Sequence, residues 1–330
     1  MIRVLKPGLL TTVQDLGRPG YQAYGVAVGG ALDAFGARVA NLIVGNDDNA
    51  AVLEMAQTGP ELQFERDTLV AWCGGDFPAT INGQPLPRDR AVRALAGDRV
   101  DFGVAPAGLR AWLAVAGGID VPLVMGSRAT YRRAGLGGHN QGRPLAAGER
   151  LQTFAAGGWA SSLSTALARH GQRASVWTVR PGTLGAPAPA GTVRAMTGPE
   201  WDWFSNDAQR EFFAAEWEAT READRMGVRL HGPELALHTP REMISSTVNT
   251  GVVQVPPSGQ PIVLLPSRQS VGGYPRIATV AAVDIGRFTQ LRPGEKVRFT
   301  RVPLPLALAL QLQRERDLAR VRMGLARQIA

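Results

Sequence analysis

Apolar residues fall in short runs of four to six, separated by Gly, Pro, Asn and Asp, which is the pattern of a strand-rich chain. Ile2 to Leu5 alternates as an opening strand and ends at Pro7-Gly8; Thr11 to Gln14 is a second strand. Further runs at 51–55, 61–64, 69–73, 79–82, 91–95, 99–102, 110–115 and 151–154 complete the first half. Asn82-Gly83 between two of them is the strongest local hairpin signal. In the second half the predicted strands are 192–196, 226–230, 235–238, 243–246, 252–255, 261–265, 277–283 and 297–302. Helical spacing is rarer. Phe35, Val39, Leu42 and Ile43 follow Asp33, a suitable N-cap, and Gly45-Asn46 ends the pattern. Pro199 to Trp217 reads as an aromatic-rich helix, and Leu306 to Ala330 as one long helix with a broken stripe of Leu308, Leu312, Leu318, Val321 and Leu325.

Short segments repeat between the halves. Gly59-Pro60-Glu61-Leu62 recurs as Gly232-Pro233-Glu234-Leu235, and Asn82-Gly83-Gln84-Pro85-Leu86 loosely as Ser258-Gly259-Gln260-Pro261-Ile262. The expectation is a mainly β chain of two related barrels: a first barrel over 1–154, a connection rich in Ala, Gly, Ser and Pro over 155–191, a second barrel over 192–303, and a C-terminal helix over 304–330.

Composition narrows the classes of function. In 330 residues, 45% are hydrophobic and 19% charged, enough for a real core and not the balance of a disordered chain. Cys73 is the single cysteine, and the four histidines have no metal-ligand spacing, so no metal site is assigned. No apolar run reaches the roughly 18 residues that span a bilayer, and MIRVLKPG lacks the apolar core of a secretory signal, so no membrane role is expected and the expected setting is the cytoplasm. The net charge of +8 is carried almost wholly by arginines spread along the chain. A nucleic-acid binder clusters them with aromatics, so the charge points to small anionic substrates or an acidic partner protein.

There is no P-loop, GxSxG, zinc motif or Rossmann fingerprint. What remains are polar residues at predicted strand ends: Gln14, Asp15 and Arg18; Asn41 and Asn46; Glu54; Arg225; Gln254; and Arg268, Gln269 and Tyr274. Arginine and glutamine suit carboxylate, phosphate or amide oxygens. Asp15 or Glu54 has the chemistry of a base or a cation ligand; Asp15 with Arg18 equally has that of a structural ion pair. The richest stretch is Gly251 to Arg276, where two strands meet Ser267-Arg268-Gln269-Ser270 and Gly272-Gly273-Tyr274-Pro275. It reads either as a solvated hairpin tip or as a small-molecule site. In the second reading Arg268 and Gln269 lie on an exposed loop and bind the anionic or amide part of a substrate. Gly272 and Gly273 then admit a close backbone approach and Tyr274 closes one wall. A chain with such loops and no complete catalytic set fits one subunit of a composite active site.

The motifs TVQDLGRPG (12–20), GGALD (29–33), ANLIVGN (40–46), GGIDVP (117–122), MGSR (125–128), DRMG (224–227), QVPPSGQPI (254–262) and RQSVGGYP (268–275) together resemble the biotin-dependent carboxyltransferase family. That family includes the C-type subunit of bacterial 5-oxoprolinase, the KipI antagonist KipA, and the second allophanate-hydrolase-subunit domain of urea carboxylase. The resemblance reaches to Phe299. It implies two cyclophilin-like β-barrels and two partner proteins, the KipI-like B-type and the A-type subunits of the same complex. It also implies ATP with magnesium, used by the complex to open 5-oxoproline to glutamate, with no biotin on this chain. Asp15, Arg268 and Gln269 are then the candidate catalytic residues. Gln14, Arg18, Asn46, Glu54, Arg225, Gln254, Gly272, Gly273 and Tyr274 are the candidate substrate contacts. Pro266-Ser267 stands where the pattern leads one to expect Ala-Asp, and Ser246-Thr247 where it leads one to expect Glu-Gly. Both replace an acid by a hydroxyl. The alternatives are a KipA-like regulatory protein, or a carboxyltransferase-like one that acts on a urea- or allophanate-type amide.

Overall fold

The computed structural model describes residues 1–327; the last three residues of the helix expected to run to Ala330 lie outside the described residues. The chain is mainly β, with a C-terminal helix over Leu304–Arg327. It divides into two compact units. The first holds Met1–Arg18, Gly29–Gly182 and the chain from Asp317; the second holds Pro19–Val28 and Thr183–Arg316.

In the first unit the strands form two sheets. One has seven strands, in the order Ile119–Asp120, Arg150–Thr153, Ile2–Lys6, Glu61–Phe64, Arg99–Asp101, Thr80–Ile81, Gln84–Pro85. The other has five: Leu10–Gln14, Val52–Ala56, Ala107–Val115, Thr68–Asp76, Val92–Ala94. Alternation along each strand sends Ile2, Val4, Leu62 and Phe64 from one sheet and Leu53, Met55, Trp72 and Leu113 from the other into a common core. Asn82 (φ 51°) and Gly83 (φ 77°) turn the expected hairpin. The helix Ala34–Ile43 starts where Asp33 accepts from the Phe35 and Gly36 amides at 3.1 Å. The alanine- and glycine-rich stretch expected only to connect the halves contains a helix, Gly158–Arg169, which buries Ala160, Leu163 and Leu167.

In the second unit seven strands close into a barrel, in the order Thr192–Thr197, Arg276–Val280, Val252–Gln254, Ile262–Leu264, Gly227–His231, Trp217–Ala219, Lys296–Arg301. The segment predicted as one helix over 199–217 is instead a 3-10 turn at Trp201–Trp203, a helix at Asn206–Ala214 and a strand at Trp217–Ala219. The break has a local cause: the Ser205 hydroxyl accepts from the Ala208 amide at 3.1 Å and restarts the helix. Phe212 then stacks on Phe299 at 4.5 Å and meets Phe213 edge-on at 4.9 Å. The expected strand at 235–238 does not form; Leu237 makes a single bridge to Phe204. At 243–246 only the end is paired, in the two-residue strand Ser246–Thr247 against Val271–Gly272. No described helix is long and apolar enough to cross a membrane.

Glu200 ties the 3-10 turn to the barrel. Its carboxylate takes the Arg276 amide at 3.0 Å and the Arg276 guanidinium at 2.5 and 2.7 Å. Burial opposes ionisation of Glu200, but the Arg276 fork, amide and charge outweigh it and hold the carboxyl below its ordinary value of 4.5. A carboxyl with a depressed folded pKa adds stability that is complete above the unfolded pKa and is lost as pH falls through the folded one. Urea unfolding from pH 7 down to about pH 3 is therefore expected to lose a component below roughly pH 4.5 that is absent in Glu200→Gln.

Candidate functional site

In the second unit the strand Val252–Gln254, the turn after it and the segment Ser267–Pro275 carry most of the candidate residues. Arg268 is 5% exposed, so the expected exposed loop arginine is a buried one. Its Nε donates to the Val248 carbonyl at 3.1 Å and its Nη2 to Asn249 Oδ1 at 3.3 Å. No carboxylate pairs with it among the described residues. Burial alone lowers the guanidinium pKa from the usual arginine value. Nothing local in the chain signals this burial, because Val248 and Asn249 reach Arg268 from about twenty residues upstream.

Gln254 is 2% exposed. Its amide donates to the Tyr274 carbonyl at 3.3 Å and accepts from Gln269 Nε2 at 3.4 Å, both long contacts. A Cβ at Gly272 would overlap the Gln254 amide nitrogen, so the missing side chain admits Gln254. Gly273 and Tyr274 do line a cleft of about 610 Å³, with Val255, Pro256, Leu235 and Met243 among its other walls. Arg268 and Gln269 are not in that lining. Arg225 is half-buried, and its carbonyl accepts from the Ser267 amide at 3.2 Å.

In the first unit Gln14, Asp15 and Arg18 sit at the end of the strand Leu10–Gln14, all buried. Asp15 Oδ1 takes the Gly17 amide at 2.8 Å and the Ser127 hydroxyl at 2.6 Å; Oδ2 takes the Arg128 amide at 2.5 Å. Three donors make this carboxylate the clasp of its loop. The Asp15 carbonyl also takes the Ala31 amide at 2.8 Å, and Gly30 (φ 82°) lies so close to Leu16 and Gly17 that a side chain there has no room. Arg18 is fully buried: Nη2 donates to the Ala129 carbonyl at 2.5 Å, and Nη1 has no partner. Burial lowers its pKa, against the opposing charges of Asp15 and Tyr131. Gln14 Nε2 reaches Thr12 Oγ1 at 3.0 Å and the Thr130 carbonyl at 3.2 Å, leaving Gln14 Oε1 and Thr130 Oγ1 unpartnered. The two remaining candidates hold structure. Asn46 bonds Asn41 Oδ1, the Val115 carbonyl and the Gly117 amide at 2.7–2.9 Å, and Glu54 takes the Leu32 amide at 2.8 Å and Trp112 Nε1 at 2.9 Å.

Ser127 and Thr130 were not legible as site residues, whereas Ser246 and Ser270 lie in stretches that the sequence singled out without a role for either hydroxyl. Serine and threonine are common, and only their places in three dimensions distinguish Ser127 and Thr130. Buried orphan atoms on Gln14, Arg18, Thr130, Ser246 and Ser270 mark the two polar clusters.

Two outcomes follow from these contacts. Asp15→Ala removes one acceptor from three donors, and urea unfolding is expected to show a loss of about 3 kcal/mol. Arg268→Lys replaces a planar fork by a point donor that cannot serve both Val248 and Asn249. A lowered melting temperature is expected, together with a fall in kcat/KM of about tenfold or more once a turnover assay is in place. An unchanged melting temperature would contradict the buried placement.

Residues 24–301 match the carboxyltransferase domain, subdomains A and B. The chain is 36% identical over 304 residues to the C-type subunit of 5-oxoprolinase from Escherichia coli (strain K12), covering 92% of each protein. It is 32% identical over 312 residues to the urea amidolyase of Lachancea kluyveri, of which it spans 17%. The structure of Kluyveromyces lactis urea carboxylase superposes with a TM-score of 0.84 at 27% identity, covering 96% of this chain and 28% of that one. The chain thus spans nearly the whole of the 5-oxoprolinase protein and less than a third of the urea enzymes. With its closed barrel, its mainly β architecture and a match over residues 24–301, it belongs to the carboxyltransferase domain family.

Proposed function

We propose that this chain is the C-type subunit of an ATP-dependent 5-oxoprolinase complex, contributing to a composite active site that opens 5-oxoproline to L-glutamate. The observation that carries the reading is likeness of sequence: 36% identity to the 5-oxoprolinase C-type subunit over 304 residues, against 32% to urea amidolyase over 312. The likeness to the 5-oxoprolinase protein covers 92% of it, whereas the likeness to urea amidolyase covers 17%.

The chemistry of a lactam agrees with the polar clusters. The 5-oxoproline amide is resonance-stabilised and a poor electrophile at neutral pH, and ATP supplies the activation that turns its oxygen into a leaving group. Arginine donors in a water-poor site stabilise the negative charge that then develops, more strongly than they would in water. In this reading ATP and its magnesium act at the level of the complex, no step is assigned to them on this chain, and biotin takes no part. The partners are the KipI-like B-type and the A-type subunits of that complex.

Co-expression with such partners, followed by gel filtration and an assay of glutamate release, tests the reading. A stable complex that releases glutamate from 5-oxoproline only with ATP, and that avidin does not inhibit, is the expected result. Separate elution at micromolar concentration, or a complex active on urea and not on 5-oxoproline, would overturn it.

A further inference from the structure

We propose that the inner face of the ribbon formed by Ser246–Thr247 and Val271–Gly272, together with Arg268, is an oxyanion subsite that takes the carboxylate or phosphate of a small ligand. The register defines the face. Ser246 lies opposite Gly272 and Thr247 opposite Val271, and the Val248 amide continues the pairing onto the Ser270 carbonyl at 3.2 Å. Residues directly opposite in an antiparallel pair share a face, and successive residues alternate. Ser246, Val248, Ser270 and Gly272 therefore share one face, and Thr247 and Val271 the other. Thr247 and Val271 are exposed, whereas Val248 is 1% exposed and the Gln254 amide packs over Gly272. The serine face is the inner one.

That face carries two serine hydroxyls on either side of Val248, which packs on Val252 and Leu264. The hydroxyl oxygens of Ser246 and Ser270 are both buried without a hydrogen-bond partner. Arg268 is anchored on the same strand segment, through Val248 and Asn249, and its Nη1 has no partner among the described residues. Its charge is not compensated: Glu200, which binds the neighbouring Arg276, is occupied by that fork at 2.5 and 2.7 Å. The amides of Gln254 and Gln269 meet only at 3.4 Å, so a stronger acceptor can recruit them. Buried polar atoms in native proteins are nearly always partnered, and two orphan hydroxyls on a ribbon whose Val248 carbonyl also anchors a cation without a carboxylate are groups that an oxyanion would satisfy. A metal ion does not suit a face of donors and positive charge, and an uncharged amide leaves the guanidinium unneutralised.

The inference rests on the lactam reading for the identity of the anion, which is then the carboxylate of 5-oxoproline, and not for the existence of the subsite. It makes Ser246 and Ser270 specificity-determining residues: they favour an amide that bears a carboxylate over one that does not.

The test is direct binding to the purified full-length chain at constant ionic strength. Sodium acetate and inorganic phosphate are titrated separately by calorimetry, with 2-pyrrolidinone as the uncharged lactam. Saturable binding of an oxyanion and none of 2-pyrrolidinone is expected. Tighter acetate binding assigns the subsite to a carboxylate, and tighter phosphate binding to a phosphoryl group. Arg268→Gln is expected to weaken binding by about tenfold or more. Ser246→Ala with Ser270→Ala is expected to weaken it by about fivefold, without lowering the melting temperature, because removing an unpartnered hydroxyl removes no bond from the protein. The serine pair decides the matter if Arg268→Gln does not fold. Failure of both oxyanions to saturate the folded wild type, or wild-type binding in the serine pair, overturns the subsite. Oxyanion binding without glutamate release by the complex removes the lactam reading and leaves the subsite standing.

Discussion

A guanidinium withdrawn from water needs acceptors for its donors and a counter-charge, or it is costly to keep. Arg18 in the first unit and Arg268 in the second have the first in part and no ion pair among the described residues, although the charge of Asp15 acts on Arg18 from within its loop. Arg18 is fully buried on the Ala129 carbonyl, and Arg268 is 5% exposed on Val248 and Asn249. The fold keeps both cations in place with backbone and amide oxygens, which orient the fork but do not neutralise it. Elsewhere the same chain pairs half-buried arginines with carboxylates. Arg194 is paired with Asp284 at 2.7 Å and Arg276 with Glu200 at 2.5 Å. The contrast separates arginines that hold the barrel from arginines left with capacity to spare.

The surrounding structure holds that capacity open. In the second unit the closed barrel fixes Val252–Gln254 and Arg276–Val280 as paired strands, and the short ribbon is built from the segments that precede each of them in the chain. Gly272 has no side chain, so the Gln254 amide lies against the ribbon. In the first unit Asp15 clasps Gly17, Ser127 and Arg128, and Gly30 closes on the same loop, so the backbone beside Arg18 is fixed by its own hydrogen bonds. Rigid neutral acceptors hold each guanidinium in a fixed orientation, so its remaining donors need not reorient to meet an incoming anion.

Much of this was legible in the sequence wherever the cause is local. The Asp33 cap, the Asn82-Gly83 hairpin and the C-terminal helix depend on residues a few positions apart, and all three form as read. The aromatic stretch after Pro199 misled because its apolar spacing suits one helix, while Ser205 offers a cap that starts a new one. Ser267-Arg268-Gln269-Ser270 misled for a different reason. A polar tetrapeptide next to glycines has the composition of an exposed tip, and only the return of Val248 and Asn249 buries its arginine. The register that turns Ser246 and Ser270 inward is likewise set by pairing across the ribbon, which no single-sequence pattern contains.

The most direct test of the account is a crystal structure of the chain soaked with 5-oxoproline. The account predicts the ligand carboxylate against Arg268 Nη1, within hydrogen-bond distance of the Ser246 and Ser270 hydroxyls, with the Val248 and Asn249 contacts of Arg268 kept. Ligand bound elsewhere in the second unit, with that face unchanged and both hydroxyls still without a partner, would contradict it.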